Sequence, residues 1–495
     1  MSDNSPPSRQ PIDHSKAFSA WVTSIPLKGN KGKNMKNPGN STASRDIAYH
    51  IHPYTNLKAH QSQGPLVITR GKGVRVFDET GKGYIEGFAG LWCASLGFNE
   101  PRLVAAATRQ LERLPYYHNF AGKASDVVID LAERLIEISP VPMSKVFFAN
   151  SGSEATDSAV KLVWYYNNAL GRPDKKKIIS RLKGYHGVTI ASASLTGLPN
   201  NHRDFDLPID RIMHTDCPHY YRFGAAGESE EEFATRCAAS LEKMIVDEGP
   251  DTVAAFIAEP LMGAGGVIVP PKTYFEKVQA VLKKYDVLFI ADEVICGFGR
   301  TGNMWGTQTF NLKPDMITMA KALSAAFLPI SALMVSEKIF VAMVAESEKI
   351  GLFAHGFTYS GHPVPAAVAI ETLKIYEERD IVTHVRRVGP KLQDRLRRLV
   401  DHPLVGEVRG LGLVAGVELV KNKETKESFN PGDGVGTYLC ARAQEHGAIV
   451  RAIGDTIAFS PPLIISEDEI DEMLGCFERA LSETLAMVGE RGLLT

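Results

Sequence analysis

The middle of the chain alternates short, continuous apolar runs with longer segments of helical character, and this alternation limits the fold more than any other feature. Such runs are typical of parallel strands that are buried on both faces, and the segments between them are typical of crossover helices. The pattern therefore predicts an α/β fold with a mostly parallel sheet. The predicted strands are 146–149, 177–179, 253–258, 287–291 and 316–319, and two of the predicted crossover helices are 153–168 and 274–284.

Both flanks of this middle section have a different pattern. Before it, two short strands joined by a turn precede two amphipathic helices; after it, long helices surround a group of short strands, which predicts a second, smaller domain. The predicted elements of the flanks are strands 74–77 and 84–88 and helices 103–114, 125–138, 365–379, 382–400 and 467–488. The predicted parts of the chain are an N-terminal arm (1–45), the N-terminal part of the smaller domain (46–90), a large domain (91–364) and the C-terminal part of the smaller domain (365–495).

The composition argues against several classes of protein. The 495 residues include 55 basic and 57 acidic side chains, so no global charge favours nucleic acid or a membrane surface. No apolar run approaches the length of about 18 residues that spans a bilayer. The six cysteines form no C-x-x-C pair and no His/Cys cluster at metal-ligand spacing, which predicts reduced thiols and no metal site. Residues 1–45 lack the apolar segment of a secretory signal, so we expect a cytoplasmic protein.

Polar residues follow the predicted strands at the edge where open α/β sheets bind their ligands. Ser151, Gly152 and Ser153 come after the strand 146–149 and begin a helix. Backbone N–H groups and hydroxyls at a helix N-terminus suit a phosphate. Serine is also a common N-cap residue, so an ordinary helix cap is the alternative for this segment alone.

Two ionisable residues stand at equivalent positions after two later strands. Asp292 follows residues 287–291, where a buried carboxylate needs a partner: either a salt bridge or a protonated heterocyclic nitrogen. Lys321 follows residues 316–319, where loss of water lowers the pKa of an amine and makes it nucleophilic; a lysine that reaches the surface is the alternative. A phosphate site, an aspartate and a nucleophilic lysine together fit pyridoxal phosphate.

Longer motifs extend this interpretation to a family. They are 89–93 (AGLWC), 150–154 (NSGSE), 184–187 (GYHG), 291–302 (ADEVICGFGRTG), 355–363 (HGFTYSGHP) and 451–462 (RAIGDTIAFSPP). From about His52 to the C-terminal helix, the chain resembles the class III (omega) aminotransferases of pyridoxal phosphate fold type I, and within them the pyruvate-using amine and putrescine transaminases. The resemblance implies a large domain with a mostly parallel sheet sandwiched by helices, plus a smaller α+β domain.

The resemblance also implies roles for residues around the cofactor ring. Lys321 would hold pyridoxal phosphate as a Schiff base and then act as general base and acid. Asp292 would pair with the ring nitrogen, while Val294 and Tyr185 would pack against the two ring faces. Glu259 matches a strand-end glutamate on the substrate side of the cofactor.

The phosphate is implied to be bound by two subunits. Ser151, Gly152 and Ser153 would bind it in one subunit, and Thr358 would reach it from the neighbouring subunit. A homodimer with shared active sites follows from this arrangement, with a tetramer as the alternative.

Further residues match positions that contact the substrate in similar enzymes. Arg451 would swing in to pair with the carboxylate of a keto or amino acid and out again for amines; its planar guanidinium matches a carboxylate in a bidentate manner. Phe88, Trp92, Tyr166 and Ala264 would line the substrate pocket. Each of these four is alternatively an ordinary core residue.

The sequence departs from the family pattern beside Lys321. The family usually has Gly after the lysine, where this chain has Ala322, and 324–327 (SAAF) replaces the usual small-small-Gly-Tyr run. Loss of two glycines stiffens this backbone.

The motifs together predict a ping-pong aminotransferase that uses an amine or ω-amino acid donor and an α-keto acid acceptor such as pyruvate. The first alternative is another fold type I enzyme, such as an aminomutase, decarboxylase or racemase, and Arg451 argues against it. A nicotinamide-dependent dehydrogenase is disfavoured because no Gly-rich dinucleotide turn is present. A non-catalytic binding protein is disfavoured because Lys321, Asp292 and Tyr185 occur together.

Overall fold

The computed structural model describes residues 39–494. Most of the predicted N-terminal arm, residues 1–38, lies outside the described residues. The chain divides into two units, Met1–Thr69 and Arg70–Thr495. The domain boundaries placed after residues 90 and 364 stay predictions. Within the described range, no helix combines the length and apolar character that crossing a membrane requires.

The secondary structure agrees with the predicted alternation of strands and helices. The strands are β1 (Ile68–Lys72), β2 (Arg75–Asp78), β3 (Gly83–Glu86), β4 (Lys145–Ala149), β5 (Lys177–Arg181), β6 (Ile212–Thr215), β7 (Val253–Ala258), β8 (Leu288–Asp292), β9 (Met316–Met319), β10 (Ser331–Val335), β11 (Val405–Leu411), β12 (Val414–Leu419), β13 (Ala448–Ile449), β14 (Arg451–Ile453) and β15 (Thr456–Phe459). The helices are α1 (Thr42–Tyr49), α2 (Leu57–Gln63), α3 (Ala89–Trp92), α4 (Pro101–Arg113), α5 (Asp126–Glu137), α6 (Gly152–Ala169), α7 (Ile190–Leu195), α8 (Tyr220–Phe223), α9 (Glu230–Glu248), α10 (Tyr274–Lys284), α11 (Gly306–Thr309), α12 (Glu337–Ile350), α13 (Pro363–Glu378), α14 (Ile381–Arg397), α15 (Val435–His446) and α16 (Glu467–Glu490). Short 3-10 segments cover Phe120–Gly122, Pro199–Asn201, Lys321–Ser324, Arg398–Asp401 and Pro431–Asp433.

A seven-stranded sheet forms the centre of the Arg70–Thr495 unit, in the order β4-β10-β9-β8-β7-β5-β6. Neighbouring strands from β9 to β6 are parallel, whereas β10 is antiparallel to both β9 and β4. Strands β7, β8 and β9 are buried throughout, as their continuous apolar sequences predict. The predicted α/β fold with a mostly parallel sheet is confirmed.

Strands β6 and β10 were not predicted. β10 lies inside the segment 323–336, in which apolar residues predominate. The sequence of β6, IMHT, contains His and Thr and therefore lacks a continuous apolar run. Periodicity does not distinguish the buried, mainly apolar β10 from other buried segments.

Of two smaller sheets, one combines strands from both ends of this unit. β11, β12, β15 and β14 form an antiparallel sheet in that order. β2 pairs antiparallel with β3, and β3 pairs parallel with β13. Residues just after Arg70 and residues near 448 are therefore neighbours.

The long C-terminal helix begins where its sequence predicts. Ser466 is the N-cap of α16: its hydroxyl accepts from the Glu469 N–H at 3.2 Å, and the Glu469 carboxylate accepts from the Ser466 N–H at 2.9 Å. This reciprocal capping box satisfies two donors that a helix N-terminus otherwise leaves free.

The φ angles after β9 show which departure from the family pattern strains the backbone. Ala325 and Ala326 have φ of 48° and 67°, in the left-handed region, whereas Ala322 is not among the described residues with positive φ. The left-handed region costs a non-glycine residue about 1–2 kcal/mol. Ala326 occupies the place where the family has Gly, so this substitution strains the backbone, while Ala at 322 does not.

Replacing Ala326 by Gly is therefore expected to raise the free energy of unfolding by about 0.5–1 kcal/mol, because Gly adopts this φ without steric cost. The matched control is Ala322→Gly, in the same segment, which is expected to lower the free energy by a similar amount because it adds backbone freedom without relieving strain. Urea midpoints of the two variants would test this. A lower midpoint for Ala326→Gly would contradict the strain.

Candidate active site

The carboxyl ends of the parallel strands bring the predicted residues to one edge of the central sheet. β8 and β9 pair so that Asp292 is opposite Thr318, three residues before Lys321. β7 lies on the other side of β8, with Ala258 opposite Ala291, so Glu259 leaves the sheet at the same edge. β4 points the same way, because both β4 and β9 are antiparallel to β10, so Ser151 also lies at this edge.

The N-terminus of α6 has the features of an anion site. Ser151 is the N-cap, and its hydroxyl accepts from the Glu154 N–H at 3.2 Å. Its carbonyl accepts from the Ser331 hydroxyl at 2.7 Å, and the Ser153 hydroxyl accepts from the Val188 N–H at 3.1 Å. The first backbone N–H groups of a helix have no partner inside the helix and attract anions. Ser151 is thus a helix cap. Because its hydroxyl accepts from the Glu154 N–H, the N–H groups that precede Glu154 in the first turn of α6 stay available for a phosphate.

Gly152 is required by close packing. A Cβ atom at this position would lie 3.2 Å from Cγ1 and 3.3 Å from Cγ2 of Val294. The absence of a side chain lets the first turn of α6 approach the residues that follow β8.

Asp292 has a buried partner. Its Oδ2 lies 2.7 Å from Nδ1 of His186, and its Oδ1 accepts from the Val294 N–H at 3.2 Å. Both Asp292 and His186 are buried, and Nε2 of His186 has no hydrogen-bond partner among the described residues. Local sequence does not predict this pair, because 106 positions separate His186 from Asp292.

Glu259 joins two loops at this edge. Its carboxylate accepts from the Tyr185 N–H at 3.0 Å and from the Gly263 N–H at 2.9 Å. Burial raises the pKa of Glu259, the charge of nearby Asp292 raises it further, and His186 opposes both. Glu259 therefore positions half-buried Tyr185 and the loop that carries Ala264, which is also half-buried.

Lys321 is half-buried and begins a 3-10 turn directly after β9. Its φ is 44°, in the left-handed region, which is a strained conformation typical of functional sites. Burial lowers the pKa of its amine, and the charges of Asp292 and Glu259 only partly oppose this effect. A lowered pKa increases the fraction of neutral, nucleophilic amine near pH 7.

Three residues predicted to contact the substrate lie together. The buried rings of Phe88 and Trp92 have centroids 4.4 Å apart and an angle of 61° between their planes. The guanidinium of Arg451 lies 5.6 Å from the centre of the Phe88 ring. Arg451 is the first residue of β14 and pairs with Ala458, so its backbone is part of a hairpin rather than a free loop.

Tyr166 does not join this group. It lies 14 residues after Gly152 on α6, or about 21 Å along the helix axis, away from the N-terminus at the sheet edge. The charged residues nearest to it include Asp286 and Asp315, which precede β8 and β9 at the opposite edge. Tyr166 instead packs against apolar residues on one face of the sheet, because the helix carries it away from the site.

Thr358 lies apart from the buried cluster as well. Its residue is exposed, and its carbonyl accepts from the Tyr116 hydroxyl at 2.7 Å. The next residue, Tyr359, is 58% exposed, and Phe120, which lies close to Gly356, is 48% exposed.

Comparisons with known proteins agree on one family. The model of the family described as aminotransferase class-III matches residues 57–481. Gamma aminobutyrate transaminase 3, chloroplastic, from Solanum lycopersicum is 54% identical over 459 residues, which cover 92% of this chain and 88% of that protein. Gamma-aminobutyrate transaminase 1, mitochondrial, from Oryza sativa subsp. japonica is 55% identical over 454 residues, covering 91% and 88%.

Solved structures of similar proteins are omega transaminases. The enzyme from Pseudomonas jessenii in complex with PMP has 56% identity and a TM-score of 0.90, covering 91% of this chain and 99% of that one. A thermostable omega transaminase engineered for enantiopure bulky amines also has 56% identity and a TM-score of 0.90, covering 90% and 100%. That variant has a Trp, a Phe and an Arg replaced; the Phe follows the Trp by 28 residues, and the Arg follows the Phe by 331.

Proposed function

This chain belongs to the class-III aminotransferases, which are pyridoxal phosphate enzymes, and we propose that it moves an amino group from a primary amine or ω-amino acid to pyruvate by a ping-pong mechanism. The family match confirms the resemblance that the motifs carried. The observation that supports the proposal most is that Lys321, with its lowered pKa, and Asp292 lie at the same sheet edge as the N-terminus of α6.

The groups at this edge fit the cofactor. The first turn of α6, with Ser151 and Ser153, would bind the phosphate, and Asp292 would bind the ring nitrogen. Val294 and Tyr185 would contact the ring faces. When bound, pyridoxal phosphate supplies an electrophilic carbon for amines and a sink for the electrons of a carbanion.

Lys321 would perform both the nucleophilic and the proton-transfer work of this chain. The neutral form of Nζ is the nucleophile, and burial favours it. The same nitrogen would then accept a proton from the carbon that carries the amino group and return it at the other end of the reacting system. The 3-10 turn fixes the backbone of Lys321, which limits the positions that Nζ reaches.

Asp292 would keep its partner nitrogen protonated. A buried carboxylate favours a proton on a nearby heterocycle. His186 donates to Oδ2, and the Val294 N–H donates to Oδ1, so the two hydrogen bonds fix the plane of the carboxylate.

The substrate side would be formed by Trp92, Phe120 and Arg451. These residues are spaced by 28 and 331 positions, the same spacing as the Trp, Phe and Arg replaced in the transaminase engineered for bulky amines. Phe120 was missed in the sequence because no motif surrounds it.

We further propose a homodimer with shared active sites. Phe120, Tyr359 and Thr358 are exposed on one chain, although bulky aromatic side chains are rarely left clustered in water. Tyr116 and Asn119 hold this region through the carbonyls of Thr358 and Ser360. A second subunit that covers these residues would receive Phe120 and Thr358 at its own site.

The donor and acceptor classes are supported by the relatives. Gamma-aminobutyrate is an ω-amino acid, and it gives its name to the transaminases of Solanum and Oryza. Another similar structure, 61% identical with a TM-score of 0.84, is a transaminase with L-alanine, the amino acid that forms from pyruvate. γ-Aminobutyrate and alanine both carry a carboxylate, whereas a simple amine donor does not. The guanidinium of Arg451 would distinguish substrates with a carboxylate from those without one.

The direct test is the absorbance of the purified holoenzyme with a single donor and no acceptor. We expect γ-aminobutyrate or a simple primary amine to convert the yellow cofactor to its aminated form, and pyruvate to restore it. Release of carbon dioxide, or an isomerised donor without net amino transfer, would favour the decarboxylase or aminomutase alternative.

Arg451→Ala is expected to lower kcat/KM for pyruvate by about 10–100-fold, since a charge-assisted bidentate contact is worth about 1.5–3 kcal/mol. The same variant should change kcat/KM for a simple primary amine far less. Arg451→Lys is the matched control, because it keeps the charge without the planar fork, and an intermediate loss is expected. Equal losses with pyruvate and the amine would show that Arg451 does not bind the carboxylate.

A further inference from the structure

Three histidines surround one aspartate in the Met1–Thr69 unit. Nε2 of His52 lies 2.8 Å and Nε2 of His60 lies 2.9 Å from Oδ2 of Asp46. Nδ1 of His50 lies 3.0 Å from Oδ1 of the same carboxylate. The side chains of Asp46, His52 and His60 are 17%, 26% and 9% exposed, whereas His50 is 61% exposed. Asp46, His52 and His60 each offer one ligand atom, and these three atoms lie within 4.8 Å of one another.

The helices that carry these residues lack an apolar core of their own. α1 and α2 have 8 and 7 residues, and neither contains a buried residue. Helices this short are marginal in water, so other interactions must hold their geometry. Asp46 lies on α1, His60 lies on α2, and His52 lies in the connection. The cluster therefore joins both helices of the unit at one point.

The ligand types match one class of metal. Two imidazole nitrogens and a carboxylate oxygen are a common protein donor set for zinc, and a third imidazole completes a tetrahedron. Calcium and magnesium prefer oxygen ligands and do not select such a set. Zinc–nitrogen bonds of about 2.0–2.1 Å require ligand atoms slightly farther apart than these hydrogen-bonded contacts, which small side-chain rotations supply.

A second group of similar composition has a different environment. His219 lies 2.8 Å from Glu407, with Glu418 close by. Arg409 contacts both carboxylates, and Arg222 contacts Glu418. These two guanidinium groups neutralise the carboxylates and repel a cation. The described side-chain contacts of Asp46, in contrast, come from histidines. An imidazole without its second proton is a neutral metal ligand.

We propose that Asp46, His52 and His60 bind a divalent transition metal ion of the zinc type and that the ion fastens α1 to α2. His50, which lies outside the group of ligand atoms within 4.8 Å of one another, would rotate inward as the fourth ligand. The sequence predicted no metal site because its ligands do not follow a known spacing: 46, 50, 52 and 60 become neighbours only when α2 folds back toward α1. The proposed metal site does not depend on the proposed transamination.

Cobalt(II) and zinc binding to the full-length holoenzyme would test the proposal. After treatment with a chelator, cobalt is expected to produce visible bands typical of tetrahedral nitrogen and oxygen coordination, at wavelengths beyond the cofactor absorption. Zinc should abolish these bands at about one ion per chain. Octahedral cobalt spectra, or no retained metal after gel filtration, would overturn the proposal and leave a hydrogen-bonded cluster only.

Variants would locate the ion. His52→Gln and His60→Gln are each expected to lower the affinity for zinc at least about 100-fold, and His50→Gln about 10-fold, since it is the most exposed ligand. His402→Gln is the matched control, because the described contacts of this histidine involve backbone groups rather than a carboxylate, and it should retain the full metal content. Equal metal binding by His60→Gln and His402→Gln would place the ion elsewhere and overturn the assignment. If a glutamine variant does not fold, the cobalt spectrum of the wild-type protein still decides.

Discussion

Lys321→Ala is expected to lower the rate of both half-reactions by at least about a thousandfold, because one side chain is proposed to supply the nucleophile and the proton transfer. Burial already lowers the pKa of this amine, which increases its neutral, nucleophilic fraction near neutral pH. The variant should also lose covalent attachment of the cofactor.

Rapid-mixing absorbance with a single amine donor would measure this loss, and denaturing mass spectrometry after borohydride reduction would show whether the cofactor is attached. Lys313→Ala is the control, because Lys313 is exposed and lies just before β9 at the other edge of the sheet. Turnover of Lys321→Ala within tenfold of the wild-type rate, or a reduced adduct on a different lysine, would contradict the proposed role.

Asp292→Asn is expected to lower kcat by about 100–1000-fold, the usual effect of removing a preorganised electrostatic partner of the reacting charge. The amide keeps the shape of the carboxylate and still accepts from His186, so the loss would come from the missing negative charge. The fraction of protein that retains the cofactor should fall by a smaller factor than kcat, because the phosphate site and Lys321 are unchanged.

Glu293→Gln is the matched control for a buried carboxylate next to Asp292. Burial raises the pKa of Glu293 to about 7, so a neutral form is already populated at neutral pH. Its carboxylate accepts from the Gly306 N–H at 3.0 Å at the start of α11, away from the residues that meet at the sheet edge. We expect lower stability but little change in kcat. A similar loss of kcat in both variants would mean that Asp292 supports only the local structure.

The sequence by itself determined the elements of the sheet and the positions of its functional residues along them. Continuous apolar runs predicted β4, β5, β7, β8 and β9, because strands buried on both faces exclude polar residues. Since ligands bind beyond the carboxyl ends of such strands, the same pattern pointed to Asp292 and Lys321 before any fold was known.

Only the tertiary structure decided which distant residues meet. His186 and Asp292 pair across 106 positions, and Arg451 reaches Phe88 across more than 300, and local periodicity carries no record of either contact. Tyr166 shows the opposite case: the resemblance implied a place in the substrate pocket, but the direction of α6 carries it away. The φ values of Ala325 and Ala326, and the convergence of His50, His52 and His60 on Asp46, likewise depend on how the chain turns. Secondary structure follows from neighbours a few residues apart, whereas a site depends on side chains whose proximity is fixed only when the whole chain packs.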